Sequence, residues 1–185
     1  EGNHTYLAGH TYEHEVCFAR EAGLLGSLDA NMVDKLTGWD MDEFPNDIYA
    51  ATLVMYEFLK NGGLPTGGLN FDSKPRRQSF EFDDLFYAHI AGMDTYAAGL
   101  KVAAKLIEDQ DIENILKTRY ASFDSGIGAD FEAGQVTLKD LADDAENKTD
   151  EESNATLQSG RQEQIKSTLN NYIFIKSTPP CMLGA

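Results

Sequence analysis

Two short apolar runs decide how this chain folds: Leu24-Leu25-Gly26-Ser27-Leu28, which ends on Asp29, and Thr66-Gly67-Gly68-Leu69-Asn70-Phe71, which ends on Asp72. Apolar runs this short, bounded by Gly and polar residues, suit buried strands better than helices. Helical patterns flank them. Residues 11–23 offer Thr11 as N-cap, Tyr12, Val16 and Ala19 as an apolar stripe, and Gly23 as a stop. After Phe44-Pro45-Asn46 a second helix carries Ile48, Ala51, Thr52, Met55, Phe58 and Leu59 on one face and stops at Gly62-Gly63. A long amphipathic helix covers 82–109, with Leu85, Phe86, His89, Met93, Tyr96, Leu100, Ala103, Ala104 and Ile107 as its stripe. Residues 30–46 read as loop.

Acid-ended strand, helix, acid-ended strand, helix is the rhythm of βα units, and it predicts parallel strands. With Glu1 at the head of the chain, three acids stand at the ends of successive strands, where a βα barrel gathers its chemistry. Two and a half units cannot close a barrel, so the pattern implies an open sheet or a portion of a larger one. Beyond residue 109 the helical pieces are shorter, at 111–121, 137–146 and 161–174. Residues 143–156 read as an acidic exposed loop and 175–185 as a frayed tail.

Charge narrows the function classes. The chain carries 31 acidic and 15 basic residues, a net charge of −16. Phosphate binding needs clustered Lys and Arg, and the single basic cluster, Lys74-Pro75-Arg76-Arg77, is too short, so no nucleic-acid partner is expected. No apolar run is long enough to cross a bilayer. Cys17 lies in an apolar helical stretch and Cys181 in a Pro-rich tail, which is no disulfide framework and favours a reducing, cytoplasmic setting. The three N-x-T triplets at Asn3, Asn147 and Asn154 are discounted as chance occurrences. The chain starts at Glu1, directly in a cluster of His and acidic residues, so its start reads as a cut.

The candidate metal ligands are Glu1, His4, Asp29, Asp40, Asp42 and Asp72. Five carboxylates gathered with one imidazole repel one another, and two divalent cations would relieve that repulsion. Oxygen-rich ligation with one His favours Mg²⁺, Mn²⁺ or Co²⁺ over a thiolate zinc site. Glu1-x-x-His4 lets both side chains reach one ion from one strand end, and Asp40-Met41-Asp42 puts two carboxylates on one side of an extended segment. A calcium loop starting at Asp40 is excluded, because Pro45 replaces its Gly and Ala51 its terminal Glu. His10 and His14 have helical zinc-binding spacing, but no Glu-His zincin motif completes them. His89, on an apolar stripe, reads as a core or interface histidine.

Several longer motifs occur in a fixed order: Glu1-Gly2-Asn3-His4 with Leu7-Ala8-Gly9-His10, then Gly26-Ser27-Leu28-Asp29-Ala30-Asn31. Gly38-Trp39-Asp40-Met41-Asp42-Glu43-Phe44-Pro45, Gly67-Gly68-Leu69-Asn70-Phe71-Asp72 and Ser159-Gly160-Arg161-Gln162-Glu163 follow. In these the chain resembles the C-terminal part of the longer-chain class of xylose isomerases, over nearly all of 1–174. The resemblance implies an α/β fold: the last strands and helices of a TIM (β/α)8 barrel over 1–109, a helical extension making subunit contacts over 110–174, and a flexible tail over 175–185. It implies an aldose–ketose isomerase that interconverts D-xylose and D-xylulose, and glucose and fructose, by a metal-assisted hydride shift. Glu1 would bridge two divalent cations, Asp29 and Asp72 would complete the structural site, and His4, Asp40 and Asp42 would hold the catalytic ion. A sugar substrate, a homotetramer and a cytoplasmic setting are implied with it.

Gly2 departs from the family, which usually has Ala or Pro there, as do Met32-Val33, Ser73 and Pro75. The family's remaining metal-binding Glu, its catalytic Lys and its ring-opening His would lie before Glu1, so these 185 residues alone are expected to show no isomerase activity. Two other readings make different predictions. A metal-dependent barrel endonuclease would bind DNA at low salt, which the acid surplus opposes. An acidic, non-catalytic interaction module would fold without regard to metal.

Overall fold

The computed structural model describes residues 1–34, 36–156 and 158–176. The chain is mostly helical with few strands, and it divides into two units: 1–108 together with the described residues 169–176, and 109–168.

In the first unit, helix α1 (Gly2–Leu7) leads into α2 (Tyr12–Glu21). Gly9, at φ +84°, and the bond from the His10 N–H to the Thr5 carbonyl turn the chain between them. Thr11 is the extended N-cap of α2, and Gly23 at φ +69° ends it. Strand β1 (Leu28–Asp29) pairs in parallel with β4 (Leu69–Asn70), so the expected parallel pairing of the two acid-ended runs is present. Between them, β2 (Met32–Asp34) and β3 (Trp39–Glu43) pair antiparallel, where the sequence reads as loop. The turn explains the difference: Asp34 accepts bonds from the Leu36 N–H and the Thr37 hydroxyl, and its own carbonyl takes the Gly38 N–H.

Helix α3 (Ile48–Lys60) starts on Asp47, whose carboxylate caps the Tyr49 and Ala50 N–H groups. It packs on α2, where Arg20 and Glu57 form a largely buried ion pair at 2.6 Å. Helix α4 (Phe82–Asp109) spans the expected range. Two glycines set its seat. At Gly99 a Cβ would come within 2.8 Å of the Ala51 backbone, and at Gly92 within 3.0 Å of the Phe71 ring. Close approach there lets α4 brace both α3 and the residue preceding Asp72. The core runs through Val16, Leu28, Val54, Ala103 and Leu106, closed by Tyr172 in a π-helical turn (Tyr172–Lys176).

The buried face of α4 is Gly92, Tyr96, Gly99, Val102, Ala103 and Leu106, while Leu85, Phe86 and Met93 of the expected stripe are exposed. His89 is exposed as well, its ring edge-on to Phe44, so it is not a core histidine in this chain. Cys17 is a free thiol whose titration burial pushes upward; Cys181 and the tail beyond Lys176 lie outside the described residues. No helix among the described residues is long and apolar enough to cross a membrane.

The second unit is helical: α5 (Asp111–Arg119), a 3-10 turn (Ala121–Phe123), α6 (Gly126–Glu132), α7 (Leu138–Glu146), α8 (Asp150–Thr156) and the start of α9 (Gln162–Asn171). Helix α8 lies where an exposed loop is expected. Its cause is local: Thr149 and Glu152 bond reciprocally, each side chain capping the other's backbone N–H. Thr137 and Asp140 do the same for α7. Ile112 is the one buried apolar residue of this unit among the described residues, so these helices rest on their caps more than on a core.

The caps carry a pH dependence. Thr137 bonds hold the Asp140 carboxyl below its ordinary range, and the Thr149 N–H and hydroxyl do the same for Glu152. A lowered folded-state pKa stabilises above the unfolded value and is lost as pH falls through the folded one. Helicity of the second unit should therefore decline through the acid end of the carboxylate range. Circular dichroism at 222 nm should show that decline reduced in a Thr137→Ala, Thr149→Ala double variant; an unchanged acid profile would reject the caps as its source.

Candidate metal centre

The β1·β4 pairing sets Asp29 and Asp72 side by side. Asp29 ends β1, and Asp72 lies two residues beyond β4 in the left-handed region at φ 42°. Glu1 is not at a strand end, as its spacing suggested; it is the N-cap of α1, and His4 follows one helical turn on. The helix does what the strand was expected to do, because i and i+3 share a face. His4 Nδ1 lies 2.9 Å from Glu1 Oε2, and ligand oxygens of Glu1, Asp29 and Asp72 all lie within 4.8 Å of one another.

Asp40 and Asp42 arrive on β3. His4 Nε2 is 3.5 Å from Asp40 Oδ2, and Asp42 takes the Lys74 ammonium at 2.6 Å. That ammonium, with a bond from Asn3, outweighs burial and holds the Asp42 carboxyl below its usual range. Asp42 has φ 45°, so β3 is locally left-handed there rather than regularly extended. Both carboxylates nonetheless meet at one group, since Asn3 Nδ2 donates to Asp40 and, at 3.2 Å, to Asp42.

Two buried amides, which residue spacing did not single out, link Glu1, Asp40, Asp42 and the backbone at Asp72. Asn31 accepts the Asn3 N–H at 3.0 Å and donates to Glu1 Oε1 at 2.9 Å and to the Asp72 carbonyl at 3.1 Å. Asn3 continues the chain to Asp40 and Asp42. Asn3 is wholly buried and Asn31 is 1% exposed, so neither amide competes with water for these bonds. Gly2 makes the approach possible: a Cβ there would lie 2.5 Å from the Asn31 carbonyl oxygen. The only sequence signal for these amides was their adjacency to ligands within Glu1-x-Asn3-His4 and Asp29-x-Asn31.

The donor set fits hard dications. Three carboxylates converge at Glu1, Asp29 and Asp72, and among the described residues no Lys or Arg forms an ion pair with any of the three. An oxygen-rich cluster with one nearby imidazole matches the preferences of Mg²⁺, Mn²⁺ and Co²⁺.

A part-parallel arrangement of strands and helices with carboxylates clustered beyond the strand ends places the chain in the mixed α/β class. Comparison with known proteins gives the family. Residues 116–173 match the XylA2 C-terminal domain. The chain is 58% identical to the xylose isomerase of Bacillus velezensis over 174 residues, covering 94% of this chain and 38% of that protein. Over the same shares it is 57% identical to that of Priestia megaterium and 56% to that of Bacillus subtilis. The chain belongs to the xylose isomerase family and corresponds to the C-terminal 38% of these relatives.

Proposed function

We propose that this chain forms the metal-holding rim of an enzyme that interconverts D-xylose with D-xylulose, and glucose with fructose, by hydride shift. The observation that supports it most is the meeting of Glu1, Asp29 and Asp72 within 4.8 Å, from three separate elements. Glu1 would bridge two cations, with Asp29 and Asp72 holding one and His4, Asp40 and Asp42 the other. Mg²⁺, Mn²⁺ or Co²⁺ bound there would act as Lewis acids, polarising the sugar carbonyl and stabilising the developing alkoxide.

The chain's own residues do the positioning. Asn31 holds one oxygen of Glu1 and His4 the other, which fixes the plane of the carboxylate. Lys74 occupies Asp42 Oδ2 and offsets part of the local negative charge, while the Asn3 amide donates to both Asp40 and Asp42 and ties β3 to α1. Asp29 and Asp72 lie at the C-terminal ends of parallel neighbours, the edge at which a TIM barrel carries its active site.

The larger assembly is part of the same reading. Phe82, Leu85, Phe86, Tyr87, Ile90 and Met93 leave the first half of α4 apolar and exposed, a face suited to packing against the rest of a barrel. The second unit, with little core of its own, suits a role in embracing neighbouring subunits of a cytoplasmic homotetramer.

Thermal unfolding tests the metal reading directly. Mn²⁺ at a hundredfold over its dissociation constant should stabilise the chain by about 2.7 kcal/mol. Glu1→Gln and Asp72→Asn should each abolish most of that gain. A thermal midpoint indifferent to Mg²⁺, Mn²⁺ and Co²⁺, or an equal rise in both variants, would sink the proposal.

A further inference from the structure

The geometry points to a second cation site, separate from the carboxylate cluster, in which His10, His14 and Glu15 ligate a borderline transition-metal dication such as Zn²⁺ or Ni²⁺. One ligand atom from each of the three lies within 4.8 Å of the others. Both imidazoles turn Nδ1 toward the same carboxylate oxygen: His10 Nδ1 hydrogen-bonds Glu15 Oε1, and His14 Nδ1 lies 3.8 Å from it. Ligand atoms around a tetrahedral dication with bonds near 2.0 Å are about 3.3 Å apart, so small side-chain rotations complete such a sphere.

The scaffold is set before any ion arrives. His14 and Glu15 stand on α2, and His10 is anchored across the turn by its N–H to the Thr5 carbonyl. The His10 and His14 ring centroids are 4.8 Å apart. The three side chains are 37% to 59% exposed, so solvent can fill a fourth position and the ion can exchange freely. Ligand chemistry separates the two sites. Two imidazoles and one carboxylate favour Zn²⁺, Ni²⁺ or Cu²⁺, whereas the oxygen-rich cluster around Glu1 favours Mg²⁺ and Mn²⁺.

The test uses the full chain with Mg²⁺ in saturating excess. Isothermal titration with Zn²⁺ should show one more bound equivalent in the wild type than in His14→Ala or His10→Gln. Alanine suits a helix, and circular dichroism checks that each variant is folded. Imidazole ¹⁵N–¹H spectra of the unsubstituted chain give an answer free of any folding defect: one equivalent of Zn²⁺ should shift the rings of His10 and His14 and leave His89 in place. Shifts confined to His4, no shifts at all, or equal stoichiometry in wild type and both variants would reduce the cluster to a surface ion pair and overturn the proposal.

Discussion

Asn31→Ala should weaken divalent-cation binding about 10- to 100-fold, the range expected when a residue that orients ligands is lost. One amide serves three residues, accepting from Asn3 on α1 and donating to its N-cap Glu1 and to the backbone at Asp72. Truncation frees the Glu1 carboxylate to rotate and releases the segment that carries Asp72. It also strips the partner from a buried N–H, at a cost of about 1–3 kcal/mol. Two readouts are therefore expected to move together: the Mn²⁺ dissociation constant by electron paramagnetic resonance, and the urea midpoint without metal. Asn31→Asp separates the roles. It retains an acceptor for the Asn3 N–H but sets a further carboxylate against Glu1, so its metal-free stability should suffer most. Unchanged Mn²⁺ affinity in Asn31→Ala would remove Asn31 from the organisation of the site.

Gly67→Val should be the most damaging single change at the β1·β4 pair. An ideal Cβ at Gly67 would lie 2.1 Å from the Gly26 carbonyl oxygen and 3.0 Å from Ser27 Cβ. The strands cannot keep their bonds from Leu28 N–H to the Gly68 carbonyl and from Ala30 N–H to the Asn70 carbonyl while accommodating that carbon. Overpacking of this kind costs about 1–3 kcal/mol. Because the same pairing brings Asp29 to Asp72, metal affinity should fall with stability. Gly68 provides the control, since nothing lies within 4 Å of its ideal Cβ and Gly68→Ala should stay close to wild type. Matching urea midpoints for the Gly67 and Gly68 variants would mean that the close approach does not govern the pairing.

The strong periodicities were legible in the residues. Helix α4 fills 82–109, and the two acid-ended runs pair in parallel, because a long amphipathic pattern and short Gly-bounded apolar runs leave few alternatives. What escaped reading depends on contacts at a distance or on brief local chemistry. The β2·β3 hairpin turns on Asp34 and Gly38 in a polar stretch without alternation, and α8 is nucleated by Thr149 and Glu152 inside an acidic run that reads as solvated loop. At the candidate site, residue type and order pointed to six side chains, of which Glu1, Asp29 and Asp72 converge and His4 lies beside Glu1 and Asp40. The amides of Asn3 and Asn31 were not legible, since an Asn carries no spacing signature for a hydrogen bond made 28 positions away. The division of α4 into a buried and an exposed half is likewise invisible in its stripe, which runs apolar through both.

Asp42 and Asp72 adopt a backbone shape that an L residue takes reluctantly and that glycine takes freely; Asp72 stands in the carboxylate cluster, and Asp42 shares the Asn3 amide with Asp40. At these two places comfort and usefulness oppose each other. A survey that ranks replacements by folding alone would favour glycine at either position and, in doing so, would delete the oxygen donors. Libraries built to toughen this protein should hold both aspartates fixed and seek their gains elsewhere.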